Sequence, residues 1–188
     1  MKSKRPRLLE AALAGAVVLL LLAFHAVRIS AQGEESALSG LWKLEGERST
    51  DIDPWRECTY DIRQEESQLT LVKTLRASRY YQRDSISVIP DDQEREAPIT
   101  PGKWMEQVHM GARVEAGSTR LVRARWEEGG KVLYLQSRET VQTSQGDAPV
   151  IIERRFHISE DGTTMALTEA RSTRTAGSPL VYDFSRVE

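Results

Sequence analysis

Hydrophobic residues recur at every second position through most of the chain beyond residue 40, most clearly from Val150 to Ala170. Val150, Ile152, Phe156 and Ile158 share one parity, Met165 and Leu167 the other, and Asp161-Gly162 lies between the two runs. Alternation with period two marks a strand with one buried face, and Asp-Gly marks a tight hairpin whose central positions need φ > 0. Pairing Glu160 with Thr163 sets Ile158 opposite Met165, Phe156 opposite Leu167 and Arg154 opposite Glu169. One opposed charge pair therefore falls on an otherwise apolar face.

The same pattern places strands along the rest of the chain. Trp42 and Leu44 point inward from a first strand over 41–45, and 46–55, with Pro54, is an irregular crossing. Cys58, Tyr60 and Ile62 alternate in a second strand and Leu69, Leu71 and Leu75 in a third, joined at Glu65-Glu66 so that Ile62 faces Leu69. A more polar fourth strand covers about 80–89, and the prolines and acids of 90–102 predict a long loop. Trp104, Glu106, Val108, Met110, Ala112 and Val114 share one face of a long fifth strand, which a turn at Ala116-Gly117-Ser118 sets against the sixth, Met110 facing Ala124. A turn at Glu128-Gly129-Gly130-Lys131 then places Trp126 opposite Leu133 and Ala124 opposite Leu135 in a strand reaching Val141. Residues 142–148 read as a polar loop, and Leu180, Tyr182 and Phe184 point inward from a last strand. Independent turns bring inward faces together, and a one-residue slip at any of them would expose apolar side chains. About eight to ten antiparallel strands joined by hairpins predict an all-β, up-and-down barrel or barrel-like sandwich, the closed form removing exposed edges.

The N-terminus adds a different element. Lys2, Lys4, Arg5 and Arg7 precede an uncharged run over 11–27, and Arg28 closes it. A basic flank, an apolar helix and a small-residue exit at Ile29-Ser30-Ala31 suit a signal peptide over 1–31; the run also approaches the roughly 17–25 residues that span a bilayer. The flank charges place the domain outside the cytoplasm in either case, periplasmic or secreted, or anchored to the inner membrane by residues 11–27. A polar linker over 32–39 leads into a single domain over 40–188.

Charge and cysteine content narrow the partners. The 26 Lys and Arg are outnumbered by 28 Asp and Glu, and five of the cations flank the apolar run, so the domain itself is acidic and lacks the basic stripe of a nucleic-acid binder. Cys58 is the one cysteine and reads as a small buried hydrophobe. His25 falls in the apolar run and His109 and His157 on outward parities, without ligand spacing, so no metal or other cofactor is expected. No nucleophile elbow or phosphate loop is present, which argues against an enzyme.

Gly40-Leu41-Trp42 at the head of the first strand resembles the glycine-x-tryptophan motif that begins the barrel in lipocalins and related calycins. In that family the tryptophan closes one barrel end and a basic residue of the last strand packs across its ring; Arg186 shares parity with Tyr182 and Phe184 and takes that place. Residues 40–187 also resemble small exported bacterial proteins described as lipocalin-like. The chain lacks the disulfide of many lipocalins, and its strand number is nearer the fatty-acid-binding branch. The resemblance implies an apolar or amphipathic ligand in a central cavity.

The candidate site comes from ionisable residues that parity places inside: Lys73, Glu106, Arg154, Glu169 and Arg186. Each must be paired, hydrated or near a barrel mouth, because a buried unpaired charge costs several kcal/mol. In one reading Arg154 and Glu169 simply pair and Arg186 caps Trp42. In the other, Arg154 and Lys73, beside Glu169, anchor an acidic head group while Trp104, Trp126, Tyr60 and Phe156 line an apolar space. The expectation is a non-catalytic extracytoplasmic binding barrel for a small hydrophobic or amphipathic ligand. The alternative is a packed barrel whose surface contacts another envelope protein.

Overall fold

Twelve antiparallel strands form one sheet, and helix among the described residues is confined to short 3₁₀ turns such as Gly46–Arg48. The computed structural model describes residues 36–52, 54–106, 111–173 and 179–188. The strands are β1 (Gly40–Leu44), β2 (Glu57–Glu65), β3 (Gln68–Arg76), β4 (Tyr81–Val88), β5 (Asp91–Pro98), β6 (Gly102–Lys103), β7 (Arg113–Val114), β8 (Thr119–Glu127), β9 (Val132–Thr143), β10 (Gly146–Ile158), β11 (Thr164–Arg171) and β12 (Leu180–Arg186). The signal or anchor segment over 1–31 lies outside the described residues, and no described helix is long and apolar enough to cross a membrane.

The wall of a nearly closed barrel runs β4-β3-β2-β1-β12-β11-β10-β9-β8-β5. First and last strands meet, with Trp42 paired to Arg186 and Leu44 to Phe184. The β10–β11 hairpin has the expected register, Ile158 with Met165, Phe156 with Leu167 and Arg154 with Glu169. Its turn is wider than two residues: Ser159 N–H donates to Thr164 O, Gly162 supplies φ 69°, and Asp161 Oδ1 accepts from Thr163 N–H. Trp126 faces Leu133 and Ala124 faces Leu135, as the glycine turn predicts. Trp42, Tyr60, Ile62, Leu133, Phe156, Leu167 and Phe184 are buried in the main core.

Four expectations need correction. Ile62 faces Leu71, because the β2–β3 turn is Glu66-Ser67, with Glu66 at φ 54°; the two-residue shift preserves parity and so costs the core nothing. The predicted loop over 90–102 contains β5, whose acids pair across strands, Asp92 with Arg123 at 2.6 Å and Glu94 with Arg138. Of the long fifth strand, the described residues form β6 and β7, which pair with each other, and a turn at Met105-Glu106; β8 lies between β5 and β9, and Val108 and Met110 lie outside the described residues. Residues 142–148 are also strand, because β9 runs to Thr143 and turns through Ser144-Gln145 into β10. At the start of the domain, Leu38 is fully buried, and its carbonyl accepts from Trp42 Nε1 at 2.9 Å, so the described end of the expected linker packs into the barrel.

β4 and β5 are adjacent but share no ladder among the described residues. Side chains bridge this seam. Arg120 of β8 donates through Nη2 to Asp84 Oδ1 and Ser85 O of β4 at 2.9 and 3.1 Å, and to Pro98 O of β5 at 3.2 Å.

Candidate functional site

Along six wall strands the inward face changes from apolar to ionisable at the same level. Leu71 gives way to Lys73 on β3, Ile86 to Asp84 on β4, Val122 to Arg120 on β8, Leu135 to Ser137 and Glu139 on β9, Phe156 to Arg154 on β10, and Leu167 to Glu169 on β11. Beyond that level a second apolar cluster, with Ile99, Val114, Val141 and Ile152, closes the interior again. The charged groups thus form a layer between two apolar ones, where Coulomb interactions are strong and unpaired charge is costly.

Lys73, Arg154 and Glu169 join Glu106 and Arg171 in one network. Glu106, on the connection from β6 to β7, accepts from Lys73 Nζ at 2.7 Å through Oε2 and from Arg154 Nη2 at 2.6 Å through Oε1. Arg171 Nη2 lies 3.2 Å from Glu106 Oε2, and its Nη1 donates to the Glu106 carbonyl. Glu169, whose side chain is wholly buried, accepts from Arg154 Nε at 2.6 Å and from Arg171 Nε at 2.5 Å. Three cations therefore face two carboxylates. Burial alone would raise the Glu106 carboxyl, but Lys73, Arg154 and Arg171 outweigh it and hold the group well below its ordinary range. Burial would likewise lower Arg154 and Lys73, but Glu106 leads the contacts that push both up, so both are charged.

A second group adjoins it. Asp84 pairs with Arg120 Nη1 at 2.7 Å, Glu139 Oε2 lies 3.8 Å from the same nitrogen, and Trp104 Nε1 donates to Glu139 Oε1 at 2.5 Å. Among the described residues Glu139 Oε2 and Arg120 Nε have no hydrogen-bond partner. Burial raises the Glu139 carboxyl, more than Trp104 and Arg120 lower it. Two cavities of about 20 Å³ each adjoin these groups, one against Trp104, Arg120 and Glu139, the other against Lys73, Tyr60 and Phe156. Each is the size of a single water molecule.

The sequence-predicted residues divide accordingly. Lys73, Glu106, Arg154 and Glu169 come together, and the Tyr60 ring meets Phe156 edge-on at 5.5 Å beside them. Trp104 belongs to the second apolar cluster and bonds Glu139, while Trp126 packs half-buried against the main core and lines neither cavity. Arg186 lies with its guanidinium 4.3 Å from the Trp42 ring centre and donates to the carbonyls of Ser39, Ala37 and Gly162. Gly40 is required there, because a Cβ would stand 2.5 Å from Arg186 Nη1 and φ is +138°. Arg171, Arg120 and Glu139 escaped sequence reasoning, although each shares parity with apolar neighbours on its own strand. Burial pushes the Cys58 thiol up to about 12, leaving it inert. Among the described residues no three His, Cys, Asp or Glu side chains converge to hold a metal; His157 is exposed, and His25 and His109 lie outside the described residues.

Fold and site together define an antiparallel β-barrel with an interior layer of ionisable side chains. The sequence matches no protein-family model and no curated protein. Among solved structures it is similar to a protein titled "REP1-NXSQ fatty acid transporter", with a TM-score of 0.43 and 11% identity over 80% of this chain and 96% of that one. A likeness of that degree does not bear on function.

Proposed function

We propose that this is a non-catalytic binding barrel that works outside the cytoplasm and holds a small amphipathic molecule by an acidic head group. The observation that supports this is the convergence of Lys73, Arg154 and Arg171 from three wall strands on one point beside the aromatic surface of Tyr60 and Phe156. A barrel that needed only a core would gain nothing from such a layer, since replacing buried ion pairs by apolar residues is often neutral or stabilising by about 1–4 kcal/mol. Clusters of this kind concentrate at functional sites. The apolar wall supplies non-specific affinity and the cations orient the ligand, the usual division of labour in a small-molecule site.

One observation favours the second reading, a packed barrel acting through its surface on an envelope partner. The two cavities, about 20 Å³ each, fall far short of the roughly 300–1,000 Å³ of a drug-sized ligand site. A ligand held at either of these two voids must therefore displace interior side chains. Arg154→Leu separates the readings. Loss of a charge-assisted contact worth about 1.5–3 kcal/mol should weaken uptake of sodium octanoate by about tenfold or more. Unchanged uptake together with a large fall in thermal midpoint would leave Arg154 a structural residue and favour the packed barrel.

A further inference from the structure

Glu106 differs from its partners in how it is held. Lys73 lies between Tyr60 and Asp84, and Arg154 between Leu135 and Glu169, each fixed by ladders on both sides. Glu169 and Arg171 stand on β11 in register with Arg154 and Ile152. Glu106 is part of no ladder; it lies beyond β6 on the connection to β7. Its contacts to the wall are the ones its carboxylate makes with Lys73, Arg154 and Arg171 and the one its carbonyl makes with Arg171.

The cavities say where it sits. Both are lined by Glu106, together with Asp84 and Arg154. Glu106 thus borders both voids, and of the three residues that do so it is the one outside the wall ladders. Trp104 lines one void, and Phe156, Leu71 and Leu135 line the other.

Charge and shape identify what could take its place. Without Glu106, Lys73, Arg154 and Arg171 keep Glu169 as their ion-pair partner, the adjoining Asp84 being paired with Arg120, which leaves cations in excess in a low-dielectric interior. The arrangement already suits a planar group with two oxygens, one facing Arg154 Nη2 at 2.6 Å and the other facing Lys73 Nζ at 2.7 Å and Arg171 Nη2 at 3.2 Å. The surroundings of Phe156, Leu71 and Leu135 suit a hydrocarbon continuation of such a group.

We propose that the place filled by the Glu106 carboxylate is the head-group site for an alkyl monocarboxylate, and that Glu106 is a built-in competitor which this ligand displaces. The inference rests on the binding-barrel reading and adds to it a ligand class and a control. A protein that fills its own site binds more weakly by the fraction of molecules in which the site is free, and removing the competitor recovers that factor. The competitor also keeps the interior cations paired when no ligand is bound.

The test uses the full chain with Glu106→Ala and, to retain bulk if that variant does not fold, Glu106→Gln. Thermal midpoints are measured in sodium chloride, acetate, octanoate and phosphate at equal ionic strength, and octanoate affinity by calorimetry. In sodium chloride both variants should melt below the wild type. Acetate should recover part of that loss and octanoate more, with little effect on the wild type. Octanoate should bind the variants tighter than the wild type by about tenfold or more. Equal octanoate affinity in all three proteins, without rescue, would overturn the competitor role while leaving the binding barrel intact. No octanoate binding by any of them would overturn both, and better rescue by phosphate than by octanoate would overturn the ligand class.

Discussion

Glu106 and Glu139 are carboxylates in the same interior pushed in opposite directions. Around Glu106 burial is outweighed by three cations and the carboxyl is held down; around Glu139 burial prevails and the carboxyl is raised. A lowered folded value means that Glu106 stabilises fully above its unfolded value, near 4.5, and that this is lost as the pH falls through the folded value. A raised folded value means that the Glu139 contribution is present below its unfolded value and lost as the pH rises through the folded one. Urea midpoints measured across this range should therefore fall less steeply with acid in Glu106→Gln than in the wild type, whereas Glu139→Gln should gain stability on the neutral side. Parallel curves for all three proteins would contradict the assignment. Alternation alone places Lys73, Arg154 and Glu169 inside. Glu106 is assigned inside by strand parity, but it stands at a turn beyond β6 and reaches the interior from there. Glu139 shares parity with Leu133, Leu135 and Val141 and was legible, but an isolated charge late in a strand resembles a surface residue. Arg120 and Arg171 stand at strand ends, where apolar alternation has already given out.

Among the elements, β5 was the hardest to read. Its sequence offers only Ala97 as a buried apolar residue, and its pairing partners are the arginines of β8, so no hydrophobic alternation marks it. Exposed pairs such as Asp92 with Arg123 contribute little, so the strand is held chiefly by its ladder to β8. Its other edge lies at the seam that Arg120 bridges. Removing one partner of a buried pair costs about 3–5 kcal/mol. Arg120→Ala should therefore destabilise the protein and speed amide exchange in β4 and β5 more than in β2 and β11; uniform acceleration would show that Arg120 is not the bridge. At the opposite closure, Gly40→Ala adds a Cβ 2.5 Å from Arg186 Nη1 in backbone that side chains rarely adopt. Backbone strain of this kind costs about 1–3 kcal/mol, and displacement of Arg186 would also lose its stacking on Trp42, worth about 0.5–2 kcal/mol. The thermal midpoint should fall, and tryptophan fluorescence should report the disturbed ring. An unchanged midpoint would show that this contact does not hold the barrel closed.

At the scale of the whole molecule, barrel architecture is legible because the β2–β3, β8–β9 and β10–β11 hairpins match apolar face to apolar face. The layering is not, because parity shows which way a side chain points but not how far along the barrel it lies. Closure of β1 on β12, the gap between β4 and β5, and the shared level of Lys73, Arg120, Arg154 and Glu169 all depend on registers accumulated around the wall. That level is the feature of the barrel most open to test, because a layer of paired charges is expensive for a core and useful for a ligand. The most direct measurement is native mass spectrometry of the protein, isolated from its natural host without detergent, beside the Arg154→Leu variant prepared identically. The binding-barrel reading predicts a stoichiometric small acid on the wild type, lost on denaturation and depleted from the variant. A bare polypeptide mass that persists after exposure to a lipid extract of the same host would contradict it.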